Sequence, residues 1–551
     1  MGRPGVFFEQ LGHPSLSLLR RRRLGALFAF FEEDFILLTA NTTQVPNSPS
    51  AGRTDNRKDT EDDIHDADAK TSRWKTNSLL KSLIFLSMIA VVTAACLNWK
   101  ELQLGKNLLR EGFLGESFAI LVMTFLIVNL LAFVWRVVLV IMYRATPAVS
   151  DDRLPVCTVV VPAYNEGKQV LKTLKSIADG DYPEDKIHII VIDDGSIDDT
   201  WFWIKKAKKE LGSRLKTIRL PKNAGKRHAL HEGFKQSLGE VLITVDSDSI
   251  VDPQTLRCMV SPFVVNPTVG AVAGNVRVLN TREGVIPRML DVSFLFSFDF
   301  LRASQSMVDT VICTPGALSA YRRDVVLRVL PTWLGQKFFG KPANIGEDRA
   351  MTNLILREGY AVHYQKNATV YTNVPIRYKN LCKMFIRWAR SNIRETLVMS
   401  TFIFTRFRKK SAAGARINFA LQFLTTVKSP FLMVGTLGCM LFKPFEFGLS
   451  LLLGVLIYST LSAVFYWWRC RSSEGLWAYA YGFFWTMGLF WIPVYALITP
   501  HRTGWLTRQR EKKMKVYHAG KSPVDRLLPA AESMRASIPL EDMDPGIIGI
   551  L

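Results

Sequence analysis

The chain has 551 residues, 48% of them hydrophobic, and 70 Lys and Arg against 48 Asp and Glu give a formal net charge of +22. The basic residues cluster beside apolar segments, as in Arg406-Phe407-Arg408-Lys409-Lys410 and Arg508 to Lys515, and no recognition-helix or zinc-finger pattern is present. An anionic membrane surface therefore explains the charge better than nucleic acid does. Seven cysteines standing singly, with no C-x-x-C pair, argue against a disulfide framework and against structural zinc.

In chain order, residues 1–76 read as an N-terminal extension, disordered or dispensable. Arg20 to Arg23 followed by Leu24 to Ala40 has the outline of a targeting signal, but Glu32-Glu33-Asp34 interrupts the apolar run. Residues 41–76 are polar and read as disordered. Two transmembrane helices are predicted within 77–144, at Ser78–Leu97 and Phe118–Met142. Each supplies about 20 residues, enough to cross a hydrocarbon core. The segment after Tyr143 is rich in Lys and Arg, which places it in the cytosol.

From 150 to 375 the pattern changes. Thr158 to Val161, His188 to Ile192 and Val241 to Val245 are continuous apolar runs separated by amphipathic stretches. Such runs predict a buried parallel sheet covered by helices, an α/β nucleotide-binding architecture. Residues 376–414 read as amphipathic interface helices. Three apolar segments follow within 418–500, at 418–442, 446–468 and 476–498. If all three crossed, the basic tail (501–551) would lie outside, against the positive-inside rule. The last is therefore read as an interfacial or re-entrant helix bent at Pro493, giving four crossings, with five as the alternative.

The candidate chemistry sits at predicted strand ends, where open α/β sheets place ligands. These are Tyr164-Asn165-Glu166, Asp193-Asp194-Gly195, Asp246-Ser247-Asp248 and Gly346-Glu347-Asp348-Arg349. Two carboxylates two residues apart can meet one hard cation while that cation bridges a diphosphate. Acidic pairs also cap strands and helices, so each cluster alone leaves both readings open.

The ordered series Asp193-Asp194-Gly195, Asp246-x-Asp248, Gly346-Glu347-Asp348-Arg349 and Arg387-Trp388 resembles the inverting, processive family-2 glycosyltransferases. Leu220 to Arg227, Gly340-Lys341-Pro342 and Arg387-Trp388-Ala389-Arg390-Ser391 look most like the hyaluronan synthase and rhizobial chito-oligosaccharide (chitin) synthase branch. The resemblance covers about residues 77–510.

It implies a GT-A type nucleotide-sugar-binding domain flanked by transmembrane and interfacial helices. It also implies UDP-sugar donors, a polysaccharide product and Mg2+ or Mn2+. Asp193, Asp194, Tyr164 and Glu166 would hold the uridine. Asp246 and Asp248 would bind the nucleotide and metal, with Lys226 and Arg227 near the diphosphate. Asp348 would be the general base, beside Glu347. Arg387 and Trp388 would sit at the acceptor end, with Cys313 nearby. Met384 stands where the family pattern has glutamine, which implies one lost hydrogen bond there. Gly504-Trp505-Leu506-Thr507-Arg508 resembles the Trp-Gly-Thr-Arg gate over bound nucleotide, so Trp505 and Arg508 join the nucleotide-binding set.

The expected protein is thus a multi-pass enzyme of the plasma or inner membrane with a cytosolic catalytic domain. UDP-GlcNAc is the expected donor, alternating with UDP-GlcUA as in hyaluronan synthesis, and a chitin-type product from UDP-GlcNAc alone is the alternative. A transporter lacks support because the spans carry neither paired charges nor broken inverted repeats. A catalytically inactive regulatory protein would be expected to lose Asp248 or Asp348, and both are present.

Overall fold

The computed structural model describes residues 59–100, 113–442 and 444–502. The chain divides into two units, residues 1–76 and Asn77–Leu551. In the first, residues 59–76 are helical, the opening of helix α1 (Asp59–Leu97). A helix nucleated in the apolar part adds one hydrogen bond for each further residue, so it propagates into polar sequence.

In the second unit, α2 (Phe113–Met142) leads into a mixed eight-stranded sheet. Its strands are β1 (Cys157–Ala163), β2 (Ile187–Asp193), β3 (Leu215–Arg219), β4 (Val241–Val245), β5 (Ser249–Val251), β6 (Val269–Val278), β7 (Leu318–Arg322) and, after the two-residue strands β8 (Lys337–Phe338) and β9 (Lys341–Pro342), β10 (Ala361–Thr372). Their order is β3-β2-β1-β4-β7-β6-β10-β5. The first four are parallel, but β7 runs antiparallel between β4 and β6, and β5 pairs antiparallel with β10. The three apolar runs, in β1, β2 and β4, pair in parallel as expected, and the antiparallel strands are additions to them.

Helices on both faces explain why those runs are continuous. In β1, Val159 and Val161 join one core cluster with Val170, Leu174 and Ile177 of α3 (Gln169–Ala178). Val160 points the other way, into a second cluster with Leu230 and Phe234 of α5 (Lys226–Lys235), which follows α4 (Thr200–Leu211). Alternate side chains enter opposite cores, so the run Val159 to Val161 is apolar on both faces.

Further along lie α6 (Thr255–Val265), α7 (Val285–Leu295), α8 (Arg323–Leu334), α9 (Glu347–Arg357) and α10 (Tyr378–Ser400). A π-helical turn, Phe296–Arg302, continues α7. The chain ends its described part with α11 (Ala413–Phe442), α12 (Pro444–Cys470), α13 (Trp477–Phe484) and α14 (Ile492–Ile498).

Among the described residues, four helical stretches are long and apolar enough to cross a membrane: Asn77–Leu97, Val122–Met142, Ala413–Leu441 and Pro444–Cys470. A fifth, Ser473–Leu489 with Ile492–Ile498, is bent by 42° at a break just before Pro493. Proline in the first turn starts a helix readily and cannot continue the preceding one. The end of α12 is fastened to the α7 region: Tyr466 donates to Asp291 Oδ2 at 2.9 Å, and Arg469 pairs with Asp299.

Candidate active site

A single cavity of about 1380 Å³ runs from the ends of β1 and β4 to the helices α11 and α13–α14. Its lining includes Tyr164, Glu166 and Asp194, then Asp246, Asp248, Lys226, Glu347 and Asp348, and also Arg387, Trp388 and Cys313. The sheet gathers these residues because its parallel strands end on one edge.

The two aspartates ending β2 take different directions. Asp194 lines the cavity and accepts from the backbone N–H of Ala224 and Gly225, each at 2.8 Å, with burial pushing its carboxyl pKa up. Asp193 is fully buried, accepts from Ser196 N–H at 2.9 Å and lies 3.3 Å from Arg219. Asp193 therefore braces the turn that carries Asp194.

Lys226 and Arg227 also part company. Lys226 opens α5 facing the cavity, donates to Asp246 Oδ1 and lies 3.5 Å from Glu347 Oε1. Burial works against its charge, but Asp246 and Glu347 more than restore it, so its pKa is raised. The Arg227 guanidinium turns into the fold, donating to the Trp333 carbonyl at 2.7 Å and to Gln336 Oε1 at 3.0 Å, and it stacks on the Trp333 ring. Neighbouring residues on a helix point about 100° apart, and the cavity lining takes Lys226 and not Arg227.

Glu347 and Asp348 form the first turn of α9, after Gly346 at φ +76°. A Cβ on Gly346 would come within 1.9 Å of Ser391 Oγ, so the turn requires glycine on both grounds. Asp348 Oδ1 accepts from Arg349 N–H at 2.7 Å, and Oδ2 accepts from Gly316 N–H at 3.3 Å. Burial first, then the neighbouring Glu347 carboxylate, push its pKa up to about 6. For Glu347 burial acts upward too, but Lys226 outweighs it and the pKa falls. The pair thus separates into a permanent anion and a carboxyl poised near neutrality, the condition for a general base.

Cys313 Sγ lies 3.9 Å from Asp348 Oδ2, and burial pushes its thiol up to about 12, so it is a neutral group there. Trp388, 39% exposed, meets Phe385 edge-on at 5.6 Å between ring centres and offers a face to the cavity. Met384 lines the same wall. Trp505 and Arg508 lie outside the described residues.

Asp246 and Asp248 both face the cavity, and among the described residues no group of three His, Cys, Asp or Glu side chains could hold a metal alone. Two carboxylates fit a cation whose remaining ligands are phosphate oxygens and water.

Sequence reasoning passed over two features. One is the Gly316 backbone N–H, which has no side-chain signature. The other is Gln422, Thr425, Thr426 and Ser429 on α11, which line the far end of the cavity. Their spacing of three, four and seven residues marks one helix face and was the available signal.

A mixed sheet with an acidic pair at one strand end and a second pair opening a facing helix defines a GT-A type nucleotide-sugar transferase. The family model "Glycosyl transferase family 2" matches residues 158–330. The chain is 33% identical over 286 residues to an N-acetylglucosaminyltransferase of Rhizobium meliloti, covering 51% of this chain and 67% of that protein. It is 30% identical over 321 residues to a hyaluronan synthase of Streptococcus pyogenes, covering 57% and 73%. Among solved structures, a mannosyltransferase from Pyrobaculum calidifontis in complex with GDP-Man and Mn2+ aligns with 68% of this chain and 99% of its own, at 21% identity and a TM-score of 0.48. The protein belongs to glycosyltransferase family 2 and is a glycosyltransferase.

Proposed function

We propose that the protein is a membrane-embedded, processive polysaccharide synthase that transfers N-acetylglucosamine from UDP-GlcNAc to a growing chain, alternating it with glucuronic acid from UDP-GlcUA. The observation that carries this reading is the continuity of the cavity. At about 1380 Å³ it exceeds the roughly 300–1,000 Å³ of an ordinary small-molecule site, and it reaches the polar face of α11. Such a space holds a donor and several units of product at once.

In this mechanism Tyr164, Glu166 and Asp194 hold the uridine, with Asp193 fixing the turn. Asp246 and Asp248 would hold Mg2+ or Mn2+, which offsets charge on the diphosphate as it leaves. Trp388 supports the acceptor's terminal ring. Asp348 accepts the proton of the acceptor hydroxyl while that oxygen attacks the anomeric carbon from the face opposite the nucleotide, inverting it. Lys226 and Arg387 line the path of the departing UDP and oppose its charge. The product then advances past Gln422, Thr425, Thr426 and Ser429, with the catalytic domain cytosolic and the chain leaving across the membrane.

A chito-oligosaccharide synthase using UDP-GlcNAc alone is the second reading, favoured by the similarity to the rhizobial N-acetylglucosaminyltransferase. Export is tested with the purified protein in sealed vesicles, catalytic domain outward, given radiolabelled donors. Product inside the lumen, resistant to added glycosidase, is expected; product wholly accessible outside contradicts the export step.

A further inference from the structure

Beneath the general base lies a row of buried hydroxyls that the proposed chemistry leaves unused. Thr244 Oγ1 is 2.8 Å from Ser319 Oγ, and the Tyr321 hydroxyl is 3.0 Å from Ser319 Oγ. Thr314 Oγ1 lies 2.9 Å from both the Tyr321 hydroxyl and Thr352 Oγ1. Thr314 N–H donates to Thr352 Oγ1 at 3.1 Å, and Thr352 donates to the Asp348 carbonyl at 2.8 Å. Thr314, Ser319 and Thr352 are fully buried, and Tyr321 is 2% exposed.

The row joins three separate pieces of the fold. Thr244 and Ser319 belong to the paired strands β4 and β7, and Tyr321 also stands on β7. Thr352 is on α9, one turn after Asp348. Thr314 sits between them in the loop Cys313 to Ala317, whose Gly316 N–H donates to Asp348 Oδ2 at 3.3 Å. A Cβ at Gly316 would meet Lys226 Nζ at 2.8 Å and lie 3.8 Å from Asp348 Oδ2, so this backbone runs through the middle of the site.

We propose that Tyr321, acting through Thr314, is a positioning residue for the general base. Its hydroxyl ties the loop to the sheet at the height that lets Gly316 N–H hold one oxygen of Asp348 while Arg349 N–H holds the other. The carboxylate is then fixed in one rotation with a lone pair toward the acceptor hydroxyl. Tyr321 is not among the residues lining the large cavity, and its ring packs edge-on to Phe234 at 6.4 Å, so Tyr321→Phe keeps the core and removes its hydroxyl's bonds to Thr314 and Ser319.

This inference rests on the transferase reading, and the parent enzyme assayed alongside separates the two: activity in the parent upholds that reading whatever the variants do. The experiment compares the parent, Tyr321→Phe, Thr314→Val and Thr314→Ser by kcat and donor KM, and by the alkylation rate of Cys313, counted by peptide mass spectrometry. Tyr321→Phe and Thr314→Val are expected to lower kcat about tenfold, since small misplacements of a reacting group are costly, with donor KM unchanged within about twofold. Cys313, adjoining Thr314, is expected to alkylate several times faster in both, and Thr314→Ser to recover most of kcat. Parent-like kcat in Tyr321→Phe and Thr314→Val, or a loss that appears in KM with Cys313 labelling unchanged, overturns the proposal.

Discussion

Lys226 joins the two halves of the site: its ammonium donates to Asp246 at the end of β4 and lies 3.5 Å from Glu347 at the start of α9. Removing it leaves the partly exposed Asp246 and the buried Glu347 without the ammonium they share. Lys226→Met is predicted to raise donor KM about tenfold, the usual scale for losing a charge-assisted contact. Because Lys226 also holds the Asp348 pKa down, the acid limb of kcat should move to higher pH. Steady-state kinetics across pH 5 to 8 checks both.

The pH dependence of the parent follows from the same pair. A base must be unprotonated to act, and Asp348 is pushed up to about 6. Activity is predicted to rise with pH through about 6 and to level off above it. In Glu347→Gln the like-charge contribution disappears while burial remains, so the limb should move to lower pH. A limb that stays in place would mean that Glu347 does not act on Asp348.

Trp388 is predicted to act on the acceptor alone. Trp388→Ala removes a stacking face that contributes about 1 kcal/mol, so acceptor affinity should fall several-fold and products should shorten. Trp388→Phe should keep most of both. Sizing products by gel electrophoresis, beside donor KM, which should not change, tests this.

Gly346→Ala places a Cβ within 1.9 Å of Ser391 Oγ in a backbone conformation of φ +76°. A loss of about 2–4 kcal/mol or more is expected, beyond that of an ordinary surface change. Gly346→Ala with Ser391→Ala should recover only part of it, because the Oγ contact is removed while the Ser391 Cβ at 2.8 Å and the dihedral strain remain. Thermal melts of the detergent-solubilised protein measure the difference.

Much of this was legible in the sequence, and the failures have particular causes. The apolar runs marked the strands because Val159, Val160 and Val161 of β1 alternate between two cores. They could not reveal that β7 runs antiparallel, since strand direction leaves no mark on periodicity. Asp246 and Asp248 were readable as strand-end carboxylates, whereas Asp348, read the same way, opens α9 instead. Arg227 was not separable from Lys226 until the helix phase was known, and the stripe from Gln422 to Ser429 was hidden among Phe423, Leu424 and Val427. Gly316 acts through its backbone, which a sequence does not distinguish from any other glycine.

The most direct test is incorporation of radiolabelled sugar by the purified protein with Mn2+, supplying UDP-GlcNAc and UDP-GlcUA singly and together, beside Asp348→Asn. The account predicts polymer that contains N-acetylglucosamine, formed with both donors, and none from the variant. Polymer from UDP-GlcNAc alone would shift the product to the chitin type. Equal incorporation by Asp348→Asn, or none by the parent with either donor, would contradict it.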